Sequence, residues 1–362
     1  MRGWTLSRYL GRQYFLWFMA FLFGLAGVIY LFEVAELLRR SSGLPDTSLA
    51  VILKMGSYKL PDTVEKVLPF VVLFSGMFTF WRLTRSHELI VARAAGISAW
   101  QFLAPALIIT LLFGWFNVTL LNPVGAALNS RFKAMEARYI DRTTSLELTG
   151  AGLWLRQKEG ERHYLLHADK VTSNPLTLLP AMVFIYDENN RYLGRIDAPS
   201  ASLSGNYWEM RNAWFNWKDK LPSHQDLFHL NTSLTVEKIQ ESMAPPNTIS
   251  FWKLPEFIEA LRSIGLPPVR HELQFHALLA QPWLLCAMVF FAAAFSLRFG
   301  RRRGILNAAM LGIFTGSAVF ALNNVVAALG ANQSLPAALA AWAVPLAALA
   351  GGNAVLLYLE DG

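Results

Sequence analysis

One cysteine, Cys286, occurs in 362 residues, so no disulfide can form within the chain. The seven histidines show no metal-ligand spacing. His163 and His167 stand four apart, but in a stretch that reads as a strand, with no third ligand near. The phosphate-cradling pattern G-x-x-x-x-G-K-S/T is missing, so the chain has no P-loop of its own with which to hydrolyse ATP. Neither G-x-S-x-G nor an assembled Ser-His-Asp set offers a hydrolytic nucleophile. Work done by this protein must draw on a partner or a gradient. The apolar runs lack the interior Asp, Glu and His relay expected of gradient coupling.

Charge is also missing from long stretches. Gln13–Phe32 and Ala94–Ser130 carry none, Leu273–Leu297 has only His276 as a titratable group, and Gly304–Tyr358 is uncharged. A membrane span needs about 20 mostly apolar residues. The last stretch holds two spans, broken at Gly330–Pro336, and a shorter run over Val67–Trp81 follows Pro61. Six helices are expected, over 14–38, 62–84, 98–121, 272–297, 305–329 and 337–358. The first is too long for a cleaved signal, and Glu33-Val-Ala-Glu36 offers no small-residue cleavage site. Arg2, Arg8 and Arg12, then Arg82, Arg85 and Arg93, then Arg298, Arg301, Arg302 and Arg303 all fall on one side, which is therefore cytoplasmic together with both termini. The net charge of +7 is spread over these flanks and forms no basic domain, which argues against nucleic acid.

Residues 140–250 read differently. Alternating runs at His163–Ala168, Ala181–Tyr186, Tyr192–Asp197, Trp208–Trp217 and Leu227–Leu234 are separated by turn residues such as Asp187-Glu-Asn-Asn190 and Ser204-Gly-Asn206. This pattern predicts antiparallel strands in a sandwich or jellyroll on the non-cytoplasmic side. A short helix over Glu256–Ile264, stopped at Gly265, leads back to the membrane. The expected plan is an α-helical membrane protein of six transmembrane helices, three on each side of an inserted periplasmic antiparallel β-jellyroll. Its parts are 1–130, 131–265 and 266–362.

Three constellations could carry function. In the cytoplasmic loop, Ser86 is placed as an N-cap, Glu88 in the first turn and Gly96 as a stop, giving a helix over about 86–95 with Leu89, Ile90 and Arg93 on or beside one face. That suits docking into a partner's groove, and equally a surface helix whose glutamate serves its own dipole. Arg39 and Arg40 close the first span, and Arg131, Lys133 and Arg138 follow the third, on the side where Lys and Arg are normally depleted. Arg forks and Lys point charges suit phosphate, whereas snorkelling to ordinary headgroups would look the same. Glu33 and Glu36 suit ion pairing with the neighbouring arginines more than proton transfer. Pro61, Pro69, Pro105, Pro282 and Pro345 mark helix starts or kinks, which can line cavities or merely adjust packing.

The chain resembles the lipopolysaccharide-export permeases of the LptF/LptG (YjgP/YjgQ) family, on the side of LptG. The likeness rests on Leu6-Ser-Arg-Tyr-Leu10, Val67-Leu-Pro-Phe-Val71, Arg85-Ser-His-Glu-Leu-Ile-Val-Ala-Arg-Ala-Ala-Gly-Ile97, Asn122-Pro-Val-Gly125, Ser250-Phe-Trp-Lys-Leu-Pro255 and Leu297-Arg-Phe-Gly-Arg-Arg-Arg-Gly304. The resemblance implies an inner-membrane transport subunit and not an enzyme. It would have no cofactor of its own, ATP and Mg being used by a partner ATPase. Its implied partners are a paralogous permease LptF, a dimer of the ATPase LptB, LptC, and lipopolysaccharide as cargo. It implies a coupling helix in which Glu88, with Ser86, Leu89 and Arg93, meets the ATPase. It also implies headgroup contacts at Arg39, Arg40 and Lys133. A second family basic position falls on Ser130, with Arg131 one residue on, and a family lysine after the helix-2 proline is Asp62 here. Two other classes fit the residues alone: a membrane-embedded enzyme acting on a lipid-linked sugar, and a non-catalytic scaffold.

Overall fold

The computed structural model describes residues 2–42, 48–88, 91, 96, 98–140, 153–159, 162–173, 176–188, 191–218, 221–232, 245–263, 268–299 and 305–361. They form two compact units: Met1–Ile140 with Pro246–Pro255 and Val269–Gly362, and Asp141–Pro245 with Glu256–Pro268. Residues 131–140, grouped with the β domain on sequence grounds, fall in the first unit.

The first unit is helical: α1 (Arg2–Ser41), α2 (Leu49–Arg85), α3 (Ala99–Phe116), α4 (Asn122–Tyr139), α6 (Val269–Phe299), α7 (Ile305–Ala331) and α8 (Ala337–Asp361), with α5 (Leu254–Ser263) beginning in it. Among the described residues, six segments are long and apolar enough to cross a membrane: Leu6–Ser41, Leu49–Arg85, Trp100–Glu136, Val269–Ser296, Ala309–Ala331 and Ala337–Tyr358. All six expected spans are present. Among them, α6 is the most buried, while α1 and α7 are mostly exposed. The main core joins Tyr14 and Phe18 of α1, Val72, Leu73 and Phe80 of α2, Leu103 of α3, and Leu285, Met288 and Val289 of α6.

Three helices clearly exceed their expected lengths, the first because it begins at Arg2 and not at residue 14. The second starts at Leu49, where Ser48 caps it by accepting the Val51 N–H. Pro61 therefore lies inside α2 and does not open it. Proline is common at a helix start, but packing overrides that preference: Ile52 and Met55 of the added turns are buried with Leu37 and Phe132. The third span runs past residue 121. A π-helical turn, Asn117–Leu121, joins α3 to α4. Pro123 has no N–H for the Thr119 carbonyl four residues earlier. That carbonyl accepts the Trp252 indole N–H at 3.0 Å instead, and Asn122 Oδ1 accepts the Phe251 N–H at 3.0 Å. Two segments that carry the family resemblance, around Asn122 and Phe251, thus bond directly to each other.

The second unit is an antiparallel sheet of β1 (Leu153–Glu159), β2 (Arg162–Ser173), β3 (Leu176–Tyr186), β4 (Tyr192–Ala198), β5 (Ser200–Ser204), β6 (Tyr207–Trp217) and β7 (Ser223–Asn231). Strands β4 and β5 keep one register against β3 (Ala181↔Ala198, Leu178↔Ala201) and one against β6 (Asp197↔Trp214, Ser200↔Arg211), so they are a single strand interrupted at Pro199. The sheet is then a meander in chain order. Its pairing breaks along one line through Asp169, Pro180, Pro199, Asn212 and Asp226, each opposite the next by register. The two prolines cannot donate to the ladder, and Asn212 takes the left-handed φ of 54°. The buried positions change phase across this line. In β6 they are Trp208 and Met210, then Ala213 and Phe215; in β4–β5 they are Ile196 and Ala198, then Ala201 and Leu203. All belong to one apolar cluster, so both sides of the crease face a common interior.

Candidate functional site

At the Ser41 end of α1, charges from α1, α2 and α4 ring the apolar cluster of Leu37, Ile52, Met55 and Phe132. Most are paired. Arg39 forks onto Glu36, with Nε and Nη2 at 2.8 and 2.7 Å from its two carboxylate oxygens. Arg40 Nη1 lies 2.7 Å from Glu136 Oε1, and Lys133 Nζ lies 2.8 Å from Oε2 of the same carboxylate. Lys59 Nζ sits 2.7 Å from Glu33, whose other oxygen accepts from Thr63 Oγ1. Lys59 and Lys133 also lie over the Phe132 ring, each 5.6 Å from its centroid. Arg131 is exposed and without a partner among the described residues.

The four basic candidates are therefore not equivalent. Arg40 and Lys133 converge on Glu136, Arg39 is held by its own helix, and Arg131 is free. Glu36 pairs with the neighbouring Arg39 as expected, whereas Glu33 pairs with Lys59 of α2 and not with an arginine of its own helix. Glu136 was missed because it follows the expected end of the third span and lies 96 residues from Arg40. The helical spacing of Phe132, Lys133 and Glu136 was the available signal. Among the described residues of α1, α2 and α4 near this cluster, seven cations (Arg39, Arg40, Lys54, Lys59, Arg131, Lys133, Arg138) stand against three carboxylates (Glu33, Glu36, Glu136), with Asp62 further along α2 held by Lys66, so positive charge is in excess.

At the opposite end of α2, Arg82 lies over the Trp17 ring and Arg85 over Trp81. Ser86 is the C-cap of α2 and not the N-cap of a following helix: its N–H donates to the Arg82 carbonyl, and its Oγ reaches the Leu83 carbonyl. The break comes one residue later, where His87 has φ 62° and its carbonyl accepts the Val91 N–H. Ser86 Oγ also donates to Glu88 Oε1 at 2.9 Å, which orients that exposed carboxylate. Gly96 has φ 79°, the left-handed conformation of a helix stop. Leu89 and Arg93 lie outside the described residues.

A cavity of about 230 Å³ with mainly apolar walls lies in the helical unit, lined by α2, α4, α6, α7 and α8. Glu65, Asn122, Gln281, Asn323 and Asn324 face it. Asp62 is held by Lys66 at 2.6 Å and by the Asn247 amide at 3.0 Å. The sequence reads as lacking an interior acidic relay; the acids that line this cavity are Asp62 and Glu65 of α2. Starting that helix at 62 had placed Asp62 and Glu65 at its mouth.

A family model of the lipopolysaccharide export system permease LptF/LptG matches residues 8–358. The chain is 24% identical to the lipopolysaccharide export system permease protein LptG of Haemophilus influenzae over 348 residues, 92% of each chain. It is 23% identical to the LptG protein of Escherichia coli K12 over 308 residues, 80% of this chain and 81% of that one. A match this complete, on six membrane-length helices with an antiparallel β unit between the third and the fourth, means that the chain belongs to the LptF/LptG family of lipopolysaccharide export permeases.

Proposed function

We propose that this protein is the LptG-type permease subunit of an ABC transporter that lifts lipopolysaccharide from the outer leaflet of the inner membrane and hands it to a periplasmic bridge. The observation that carries the reading is the family match over residues 8–358. The mostly exposed apolar faces of α1 and α7 suit a paralogous LptF subunit and the cargo's acyl chains. The positive excess at the Ser41 end suits lipid A phosphates, which compete with Glu36 and Glu136 for Arg39, Arg40 and Lys133 while Arg131 is free to bind directly. The arginine-rich loops support a cytoplasmic position for the other end of the bundle. There Glu88, held out by Ser86, and the exposed Val91 suit a groove on an LptB-type ATPase. In this reading energy enters through that contact, and LptC is a further partner.

Co-expression with a paralogous permease and its ATPase tests the reading. The complex should purify intact, and lipopolysaccharide should stimulate its ATPase. In proteoliposomes, ATP should drive lipopolysaccharide onto a soluble periplasmic acceptor. Purification of the chain without either partner, with no ATP-dependent transfer, would overturn it.

A further inference from the structure

The start of α1 contains a feature that the transport reading does not use. Arg8 and Arg12 lie one helical turn apart and border a groove of about 980 Å³ between α1 and α3. Neither has an ion pair or hydrogen-bond partner among the described residues. This is unusual within the same helix, because Arg39 is matched to Glu36 and Arg40 to Glu136. Beyond the guanidiniums the groove turns apolar, with Phe15 and Ile108 both about half exposed along it. Its floor is Gly11, where a Cβ would stand 3.3 Å from Ile109 Cδ1 and 3.5 Å from Pro105 Cβ, so the missing side chain lets the two helices close.

We propose that this groove is a binding site for one anionic phospholipid, with its phosphate on the Arg8–Arg12 pair and one acyl chain laid along Phe15 and Ile108. Charge complementarity selects this occupant. Two unmatched guanidiniums at the edge of a hydrocarbon layer call for an anion, and their forks match phosphate oxygens. An apolar strip continuing from that charge selects a lipid over a free phosphate. Basic pockets between spans are a known form of headgroup site. The proposal needs only that these helices lie in a bilayer, so it stands or falls separately from the direction of transport and from the ATPase.

Native mass spectrometry of the full chain in detergent, equilibrated with phosphatidylglycerol or phosphatidylcholine, tests it. One phosphatidylglycerol should be retained in preference to phosphatidylcholine. Arg8→Gln with Arg12→Gln should lower that retention about tenfold or more. Arg8→Lys with Arg12→Lys keeps the charge without the fork and should fall between, which gives a readout even if the glutamine variant inserts poorly. Ile108→Trp keeps both arginines but fills the chain strip, and it should also weaken retention. Equal retention of both lipids, unchanged retention in the glutamine variant, or full retention in Ile108→Trp would each overturn the site. So would a groove occupied by an acidic helix of a co-purified protein with no lipid retained.

Discussion

Glu136 holds two cations with one carboxylate, one oxygen for Arg40 and the other for Lys133. Glu136→Gln leaves both cations short of a charged partner and should lower stability by about 1–3 kcal/mol. The same change should tighten binding of a phosphorylated lipid, because it removes the competing anion. Thermal unfolding and lipopolysaccharide titration of the same sample check the two effects. A weaker affinity would remove Arg40 and Lys133 from substrate contact. The exposed Arg39–Glu36 pair should matter little to stability, within about 1 kcal/mol, as such pairs do. On the other side, Glu88→Ala should lower recovery of the ATPase about tenfold or more, the size of a charge-assisted contact. Ser86→Ala should lower it less, since it frees the carboxylate without deleting it. Pull-down at matched expression is the measurement, and full recovery with Glu88→Ala would take that residue out of the coupling. Glu88 was legible because it stands three residues beyond the end of a span in a loop of distinctive spacing. Glu136 as a meeting point and Glu65 were not, since Arg40 reaches Glu136 from α1 and the cavity that Glu65 faces is assembled from several helices.

Elements meet closely where a side chain is missing. A Cβ on Gly114 of α3 would fall 2.9 Å from the Pro282 Cα of α6, so those helices touch backbone to backbone, as small residues allow in membranes. Gly114→Val should cost about 1–3 kcal/mol through overpacking, read as a lower midpoint of thermal unfolding in detergent. In the β unit the crease makes a different demand. Asn212 is left-handed opposite Pro199, so Asn212→Gly should be tolerated, while Asn212→Val should cost about 1–2 kcal/mol. Faster hydrogen exchange confined to β5–β7 in the valine variant would show it, and equal exchange would mean that the conformation is not strained for valine. Nearly all of β6, most of β4 and one side of β2, β3 and β7 were readable from their alternation, while β1, β5 and the parts of β2, β3 and β7 beyond the crease were not. The crease itself was not, because a phase change in the buried positions looks in sequence like a break between two strands.

For the molecule as a whole, direction is the decisive property. In the proposed orientation the arginine-rich loops are cytoplasmic and the β unit lies on the other side. A reporter inserted in the turn after β3, beside Asp187, should be active only outside the cytoplasm, and one at the chain's C-terminus only inside. The reverse pattern would put Glu88 on the wrong side for an ATPase and the Ser41-end cations on the wrong side for outer-leaflet lipid. The two mostly exposed helices, α1 and α7, make a further demand at this scale. Two apolar faces on one subunit are what a heterodimer enclosing a lipid path would cover.

Composition and spacing alone determined the six spans, the β insertion between the third and fourth, and the family. Each depends on a local, additive quantity: hydrophobic length, alternation, or a run of motif residues. Tertiary structure decided where α2 begins, that the third span continues through a π turn, and which charges are already matched. A helix start at Pro61 was reasonable locally and wrong globally, because Ile52 and Met55 gain a buried partner only when Leu37 and Phe132 arrive from other helices. Likewise Arg40 and Arg8 look alike as letters. One meets Glu136 across 96 residues of chain and the other meets no described partner, since ion pairing depends on distance in space and not on distance in sequence.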